Sequence, residues 1–425
     1  MPRNAATPVG VLVLWQAVAA LSALWAAERE PAGRPWRLHV IDASSQGADG
    51  VRLADVNGDR LPDIATGWEE GGITRLYIHP GYGAVAKPWP AVTVGKTPSV
   101  EDAVPVDLDA DGRIDVVSCC EGGTRTMFVH WAPDADEDYL DPAAWKTEPI
   151  PASQGAMMWM FCAPAQIDGR HGVDLVAGGK GGGAEIGWME SPSEPRRLDR
   201  WTWRPIAPAG WLMSLRAVDF DGDGDRDVVV SDRRGPLRGC RWLENPGPGS
   251  AQFGPWENHF LGGRQREVMF MTVADLDADG ADDVLAAVKP QSLLCFRGGG
   301  RESGFRDGFA IAMPPGAGSA KGVAIGDVDG NGRPDVVFSC EGASGDKSGV
   351  MWLCCDAPAA DRAWQPHEIS GPAGIKFDRI ELLDLDGDGD LDVLTCEESQ
   401  PFQGSRRGLG VIWYENPAAS AAPAH

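Results

Sequence analysis

Three features of the 425-residue sequence predict an all-β fold, a seven-bladed β-propeller with four-stranded blades. An acidic motif recurs seven times at near-constant spacing. Short apolar runs of strand length flank each copy. One strand-like segment stands before the first repeat, while the last repeat lacks its own.

The motif reads Asp-x-Asp/Asn-x-Asp/Asn-x-x-x-Asp, followed by two or three apolar residues. Six copies are intact: "DVNGDRLPDIA" from Asp55, "DLDADGRIDVV" from Asp107, "DFDGDGDRDVVV" from Asp219, "DLDADGADDVL" from Asp275, "DVDGNGRPDVV" from Asp327 and "DLDGDGDLDVL" from Asp384. An altered copy, "QIDGRHGVDLV", begins at Gln166. Successive starts are 52 to 59 residues apart, so one structural unit is made seven times.

Carboxylates this dense repel one another, and a hard cation is the expected neutraliser. Calcium takes roughly six to eight oxygen ligands, mostly carboxylates, amides and carbonyls. The expected ligands are Asp55, Asn57, Asp59 and Asp63 in the first loop and Asp107, Asp109, Asp111 and Asp115 in the second. The fourth and fifth loops offer Asp219, Asp221, Asp223, Asp227 and Asp275, Asp277, Asp279, Asp283. The sixth and seventh offer Asp327, Asp329, Asn331, Asp335 and Asp384, Asp386, Asp388, Asp392. Six structural Ca2+ ions are therefore expected. Glycines such as Gly387 and Gly389 let the loop curl. An EF-hand is excluded, because no Glu stands at the twelfth position and the flanks read as strand. In the altered loop Arg170 is expected to replace the ion, donating to Asp168 and Asp174.

These loops resemble the FG-GAP or VCBS type of calcium-loop repeat found in integrin-like β-propellers and exported bacterial proteins. The resemblance spans most of the chain after residue 36. It implies that each loop joins the first and second strands of a blade. It implies fold and metal more strongly than function.

Each repeat then reads as four strands. The third often ends in Trp and then Pro, as in "IGWMESP", "CRWLENP" and "VIWYENP". The fourth follows Trp-x4-apolar, from Trp89, Trp145, Trp201, Trp256 and Trp364; the fifth repeat has Phe305 and Phe309 instead. These aromatics read as packing between blades. Past Trp413 no room remains for a fourth strand, whereas "WRLHVI" (36–41) is a fourth strand placed early. Pairing the two closes the ring and removes the exposed sheet edges. The propeller is expected over 36–417, after an export signal or N-terminal anchor (1–27) and a linker (28–35), with a disordered tail (418–425).

A formal charge of −24 excludes nucleic acid as a partner, since phosphate binding needs a basic surface. Six Ca2+ would halve that charge. The apolar run after Arg3 predicts export to the periplasm or the extracellular space, with a membrane contact only if it is retained as an anchor. Nine cysteines show no zinc-type spacing, and Cys119, Cys340 and Cys396 read as small buried residues at strand ends.

All acidic loops then share one face, and each second strand ends on the other. Six residues past the last motif aspartate stand Glu69, Glu121, Lys180, Arg233, Lys289, Glu341 and Glu398, all charged. Six residues before each loop stand Asp49, Glu101, Met160, Met213, Met269, Lys321 and Asp378. Both sets are expected around the channel mouth. Lys180, Arg233 and Lys289 would form a cationic arc for a carboxylate or sugar hydroxyls. The acids at 49, 69, 101, 121 and 378 would hold a cation or move protons. Trp68, Trp159 and Trp211 stand near the same end, either as sugar platforms or as core. Of the histidines, His39, His259 and His367 read as fourth-strand residues and His79 and His130 as third-strand ones, with no cluster among them.

The mouth suits a carbohydrate or small anionic ligand, so a binding propeller is the leading expectation. A carbohydrate lyase or sugar dehydratase is the alternative, by similarity to the propeller part of aldos-2-ulose dehydratase and, more loosely, to calcium-loop rhamnogalacturonan lyases. A cell-surface scaffold with a protein partner is the third. No catalytic motif of either enzyme family can be matched, and no nucleophile elbow, zinc-protease or phosphate-loop motif occurs.

Overall fold

The computed structural model describes residues 33–135, 138–298, 308–355, 363–398 and 408–417. The expected export segment, most of the linker, the tail and Phe305 lie outside them. Among the described residues no helix is long and apolar enough to cross a membrane.

The chain forms seven four-stranded antiparallel sheets, each in sequential strand order except the last. The innermost strands are Ala48–Ala54, Val100–Val106, Met158–Ala165, Leu212–Val218, Val268–Ala274, Ser319–Gly326 and Lys376–Leu383. Each second strand begins on the last motif aspartate: Asp63–Trp68, Asp115–Cys120, Asp174–Lys180, Asp227–Asp232, Asp283–Val288, Asp335–Glu341 and Asp392–Glu398. These strands are buried almost throughout, because each is covered by its neighbours in the sheet and by the adjacent blades. That is why runs such as Val228–Val230 lack the alternation of a half-buried strand.

The ring closes as the sequence predicts. Arg37–Asp42 pairs with Gly410–Glu415 to complete the seventh blade, with Leu38 opposite Tyr414 and His39 opposite Trp413. The tryptophans before the fourth strands are core. Trp89, Trp145, Trp201 and Trp256 are buried, and each indole N–H donates to a backbone carbonyl four to six residues earlier. The nine cysteines are free thiols, all buried except Cys354. His79 lies two residues beyond its third strand, Ile73–Tyr77, rather than within it.

Two regularities had no reading in the sequence. His39, His259 and His367 stack on Trp413, Trp242 and Trp352 at 4.2–4.4 Å between ring centroids. Each first strand also carries a register shift, between 49/52, 100/102, 159/161, 212/214, 268/271, 320/322 and 377/380. Such a bulge adds local twist and re-aims the extra residues.

Deleting residues 37–42 should expose Gly410–Glu415 as an unpaired edge. Size-exclusion chromatography is expected to show soluble aggregate in place of monomer. A monomeric, cooperatively melting deletion variant would reject this account of closure.

Candidate functional site

The acidic loops share one backbone form. The first aspartate accepts N–H groups from later in the turn: Asp55 from Gly58 (2.8 Å) and Arg60 (2.9 Å), Asp384 from Gly387 (2.7 Å) and Gly389 (3.1 Å). The third and fifth residues each accept from the residue two further on, as Asp109 does from Asp111 (3.2 Å) and Asp111 from Arg113 (2.9 Å). Loop positions four and six take positive φ. Gly387 and Gly389 do so freely at 81° and 97°, whereas Arg60, Ala110 and Ala278 do so at a steric cost. Asp107, Asp109 and Asp111 each bring an oxygen within 4.8 Å of the others, as do Asp219, Asp221 and Asp223. This all-oxygen donor set fits a hard divalent cation.

The last motif aspartate has a second task. Asp63 accepts the N–H of Val56 (2.7 Å) on one oxygen and that of His79 (2.8 Å) on the other. Asp115 accepts from Leu108 and Ala132, Asp227 from Phe220 and Asn245, Asp283 from Leu276 and Gly298, and Asp392 from Leu385 and Asn416. Asp335 takes the N–H of Val328 (2.9 Å). The carboxylate thus ties the loop to the end of the third strand, and each oxygen keeps a lone pair. Burial pushes Asp63 up to about 6 and Asp392 to about 7.

Protein cations reach at least two of the intact loops. Arg196, from the outer part of blade three, pairs with Asp109 and with Asp111 (3.1 Å). Arg297 donates to Asp277 at 2.8 Å from Nε. In the altered third loop the expected role of Arg170 does not hold. Its side chain is 61% exposed, lies over Phe253 and comes only within 3.9 Å of Asp168. Gln166 closes the turn instead. Its amide donates to the carbonyls of Arg170 (2.8 Å) and Gly172 (2.6 Å), and its oxygen accepts from Asp168 (3.1 Å) and Gly169 (2.8 Å). One carboxamide supplies both donors and an acceptor, whereas a guanidinium only donates.

At the ends of the second strands opposite the acidic loops, the charged residues of the two expected arcs pair with carboxylates and cations around them. Lys180 lies between Glu101 (3.0 Å) and Glu121; Arg233 pairs with Glu267, and Lys289 with Glu341. Lys376 pairs with Glu398, and Lys321 lies 3.7 Å from Asp378. Each cation expected to await an anion is therefore already neutralised. Between blades one and two the pair Arg52–Asp102 (2.7 Å) bridges the first strands, but Glu69 has no ion pair among the described residues. Asp49, Glu69 and Glu101 instead bring carboxylate oxygens within 4.8 Å of one another there.

Burial sets the protonation of this corner. It pushes Glu101 up to about 8, with Glu121 and Glu69 adding repulsion and Lys180 opposing it. Burial also pushes Glu398 up to about 7, with Lys376 and Lys321 opposing it. Asp49 rises well above the usual carboxylate range through burial and its contact with Asp378. Burial alone would raise Asp378 too, but Lys321 and a hydrogen bond from Asp49 hold it low. Of the two, Asp49 is therefore the one that holds a proton more readily.

Beneath the charged pairs of blades three to five lies an apolar layer. Met160, Met213 and Met269 are buried at the bulges of blades three to five and pack with Phe161 and Phe270. Trp68 and Trp159 are also core, their indole N–H groups bound to Tyr77 and to the Ser153 carbonyl. Trp211 alone of the three is part-exposed. Lys180, Arg233 and Arg234 lie over its ring at 4.7–4.8 Å.

Comparison with known proteins bears on the repeats. A family model described as an FG-GAP-like repeat matches residues 219–286 and 275–338. The chain carries FG-GAP-like repeats. No curated protein matches the sequence. Similar solved structures include an Agrocybe aegerita lectin described as recognising non-reducing terminal N-acetylglucosamine, 13% identical over 77% of this chain and 82% of that one, with a TM-score of 0.48. BBS1N in complex with ARL6DN is 10% identical over 90% and 97%, with a TM-score of 0.49. A luciferin-regenerating enzyme is 11% identical over 79% and 98%, with a TM-score of 0.42. At these values none carries an argument about ligands, and a likeness to aldos-2-ulose dehydratase is not among these findings.

The matched FG-GAP-like segment covers the loops of blades four to six, where the spacing is intact. Residues outside the motif escaped sequence reasoning. Arg196 reaches a loop 85 positions earlier, a contact without a local signal. Glu267 and Lys376 sit at the starts of their blades' first strands and were legible only by aligning strand starts.

Two outcomes are expected. Gln166→Ala should cost about 1 kcal/mol by stranding backbone groups, and Arg170→Ala should stay within about 0.5 kcal/mol; urea titration of both checks this. A carboxyl raised by folding gives stability that is full below its unfolded pKa, about 4.5, and lost as pH rises through its folded value. Glu101→Gln should therefore melt increasingly above the parent between pH 5 and pH 8.5. A pH-independent difference in melting temperature would contradict the assignment.

Proposed function

We propose that the protein is an exported, calcium-supported binding propeller whose mouth takes a hydroxyl-rich ligand of carbohydrate type. The observation that carries this reading is the acidic corner of buried Asp49 and Glu101 with part-buried Glu69, and with Asp378 and Glu398 beside it. Gathering like charges out of water opposes folding, so such a group marks a candidate functional site. Around it stand carboxylate acceptors, ammonium and guanidinium donors and the part-exposed Trp211 ring, the mixture that a polyhydroxylated ring can use. Part-exposed Glu69, which has no ion pair among the described residues, is the first contact we assign.

In this reading calcium is held by the first, third, fifth and ninth residues of the six intact loops. There it neutralises charge and links loop to strand. Export rests on the apolar N-terminal run and on the ease with which weak extracellular calcium sites fill. A second reading, a carbohydrate lyase or dehydratase, draws on Glu101. A carboxyl raised to about 8 beside Lys180 holds a proton that can be exchanged near neutral pH.

A glycan array, with neutral and uronate oligosaccharides in calcium and in chelator, tests both. Binding of at least one class is expected, with Glu69→Gln and Trp211→Ala each weakening it tenfold or more. No binding by the calcium-loaded parent would reject the carbohydrate reading. Unsaturated product that is lost in Glu101→Gln would decide for the enzyme. Elemental analysis should find four to six calcium ions per chain, the loops reached by Arg196 and Arg297 filling last.

A further inference from the structure

Part-way along the channel, the first strands of blades four to seven enclose a cavity of about 150 Å3. Its walls include Phe270 and Val323, which are buried, and the charged Arg216, Arg379 and Glu381. The part-exposed wall residues, Arg216, Thr272, Ile325, Glu381 and Leu382, stand nearest the acidic-loop ends of their strands. The cavity therefore opens toward that face and is separate from the acidic mouth.

Three guanidinium groups interact at this depth: Arg52, Arg216 and Arg379. Arg52 is committed to Asp102 by hydrogen bonds of 2.9 and 2.7 Å. Arg379 is only 7% exposed, and its nearest carboxylate is Glu381, 3.5 Å from Nε. Arg216 makes neither hydrogen bond nor ion pair among the described residues. Three cations thus face two carboxylates, leaving one positive charge in excess. Burial and the neighbouring guanidinium groups push Arg379 down to about 9, and burial and Arg52 lower Arg216 as well.

We propose that this cavity binds a small oxyanion, held between the guanidinium groups of Arg216 and Arg379. Guanidinium forks match the paired oxygens of carboxylate and phosphate. A cavity of about this volume holds a ring of six carbons, so the ligand is limited to about six non-hydrogen atoms. That admits acetate, lactate, phosphate or sulfate and excludes a sugar chain. The single excess charge favours a monoanion. This site is independent of the carbohydrate reading of the mouth, and either can fail alone.

The test uses the full chain in fixed calcium. Melting temperature is recorded with sodium acetate, lactate, phosphate and sulfate against chloride at matched ionic strength. A saturable rise is expected with at least one oxyanion; acetate or lactate would mark a carboxylate site, and phosphate or sulfate a tetrahedral one. Arg216→Gln should melt at or above the parent in chloride, because repulsion is relieved, and should bind the active anion at least tenfold more weakly. Arg238→Gln, in the exposed turn between the second and third strands of blade four and outside the cavity wall, should bind as the parent does. The proposal is overturned if no oxyanion shifts the parent beyond chloride, or if Arg216→Gln loses less than tenfold in affinity.

Discussion

The blade depends on one carboxylate. At the start of a second strand an aspartate is buried with its oxygens turned to two backbone N–H groups, one in the loop behind it and one beyond the third strand. Those N–H groups would otherwise be buried without partners, and a stranded buried donor costs about 1–3 kcal/mol. Blade three keeps this contact although its loop has lost its first aspartate: Asp174 still accepts from Ile167 and Ser191. The tie from loop to strand therefore outlasts the full set of oxygen ligands.

Much of this architecture was legible because it repeats. Spacing gave seven units, the last motif aspartate marked where each second strand begins, and "WRLHVI" located the closure. The mouth was legible only as a ring of positions. Counting placed Lys180, Arg233 and Lys289 at one end of the channel but could not tell that each faces a carboxylate from a neighbouring blade or its approach. Such pairs join residues 34 to 79 positions apart, and side-chain direction there is set by the bulges. Arg170 shows the same limit. Charge alone favoured it over Gln166, and hydrogen-bond geometry decided otherwise.

Charge is distributed unevenly along the channel. The mouth gathers acids between blades one, two and seven, a Met and Phe layer fills blades three to five, and guanidinium groups lie deeper. Each zone is built from the first strands of different blades. Titration at the mouth and at the arginines is therefore governed by separate sets of neighbours.

The register shift in every first strand carries a consequence for how such a protein can change. In a regular ladder, exchanging an acid for a methionine at one position also asks the facing layer to repack. A bulged residue has no partner opposite it, and the ladder resumes one residue out of step beyond it. Glu101, Met160, Met213 and Lys321 occupy such places. The ring thus offers a set of sockets around one opening, each able to take a different side chain while the sheet beneath keeps its register.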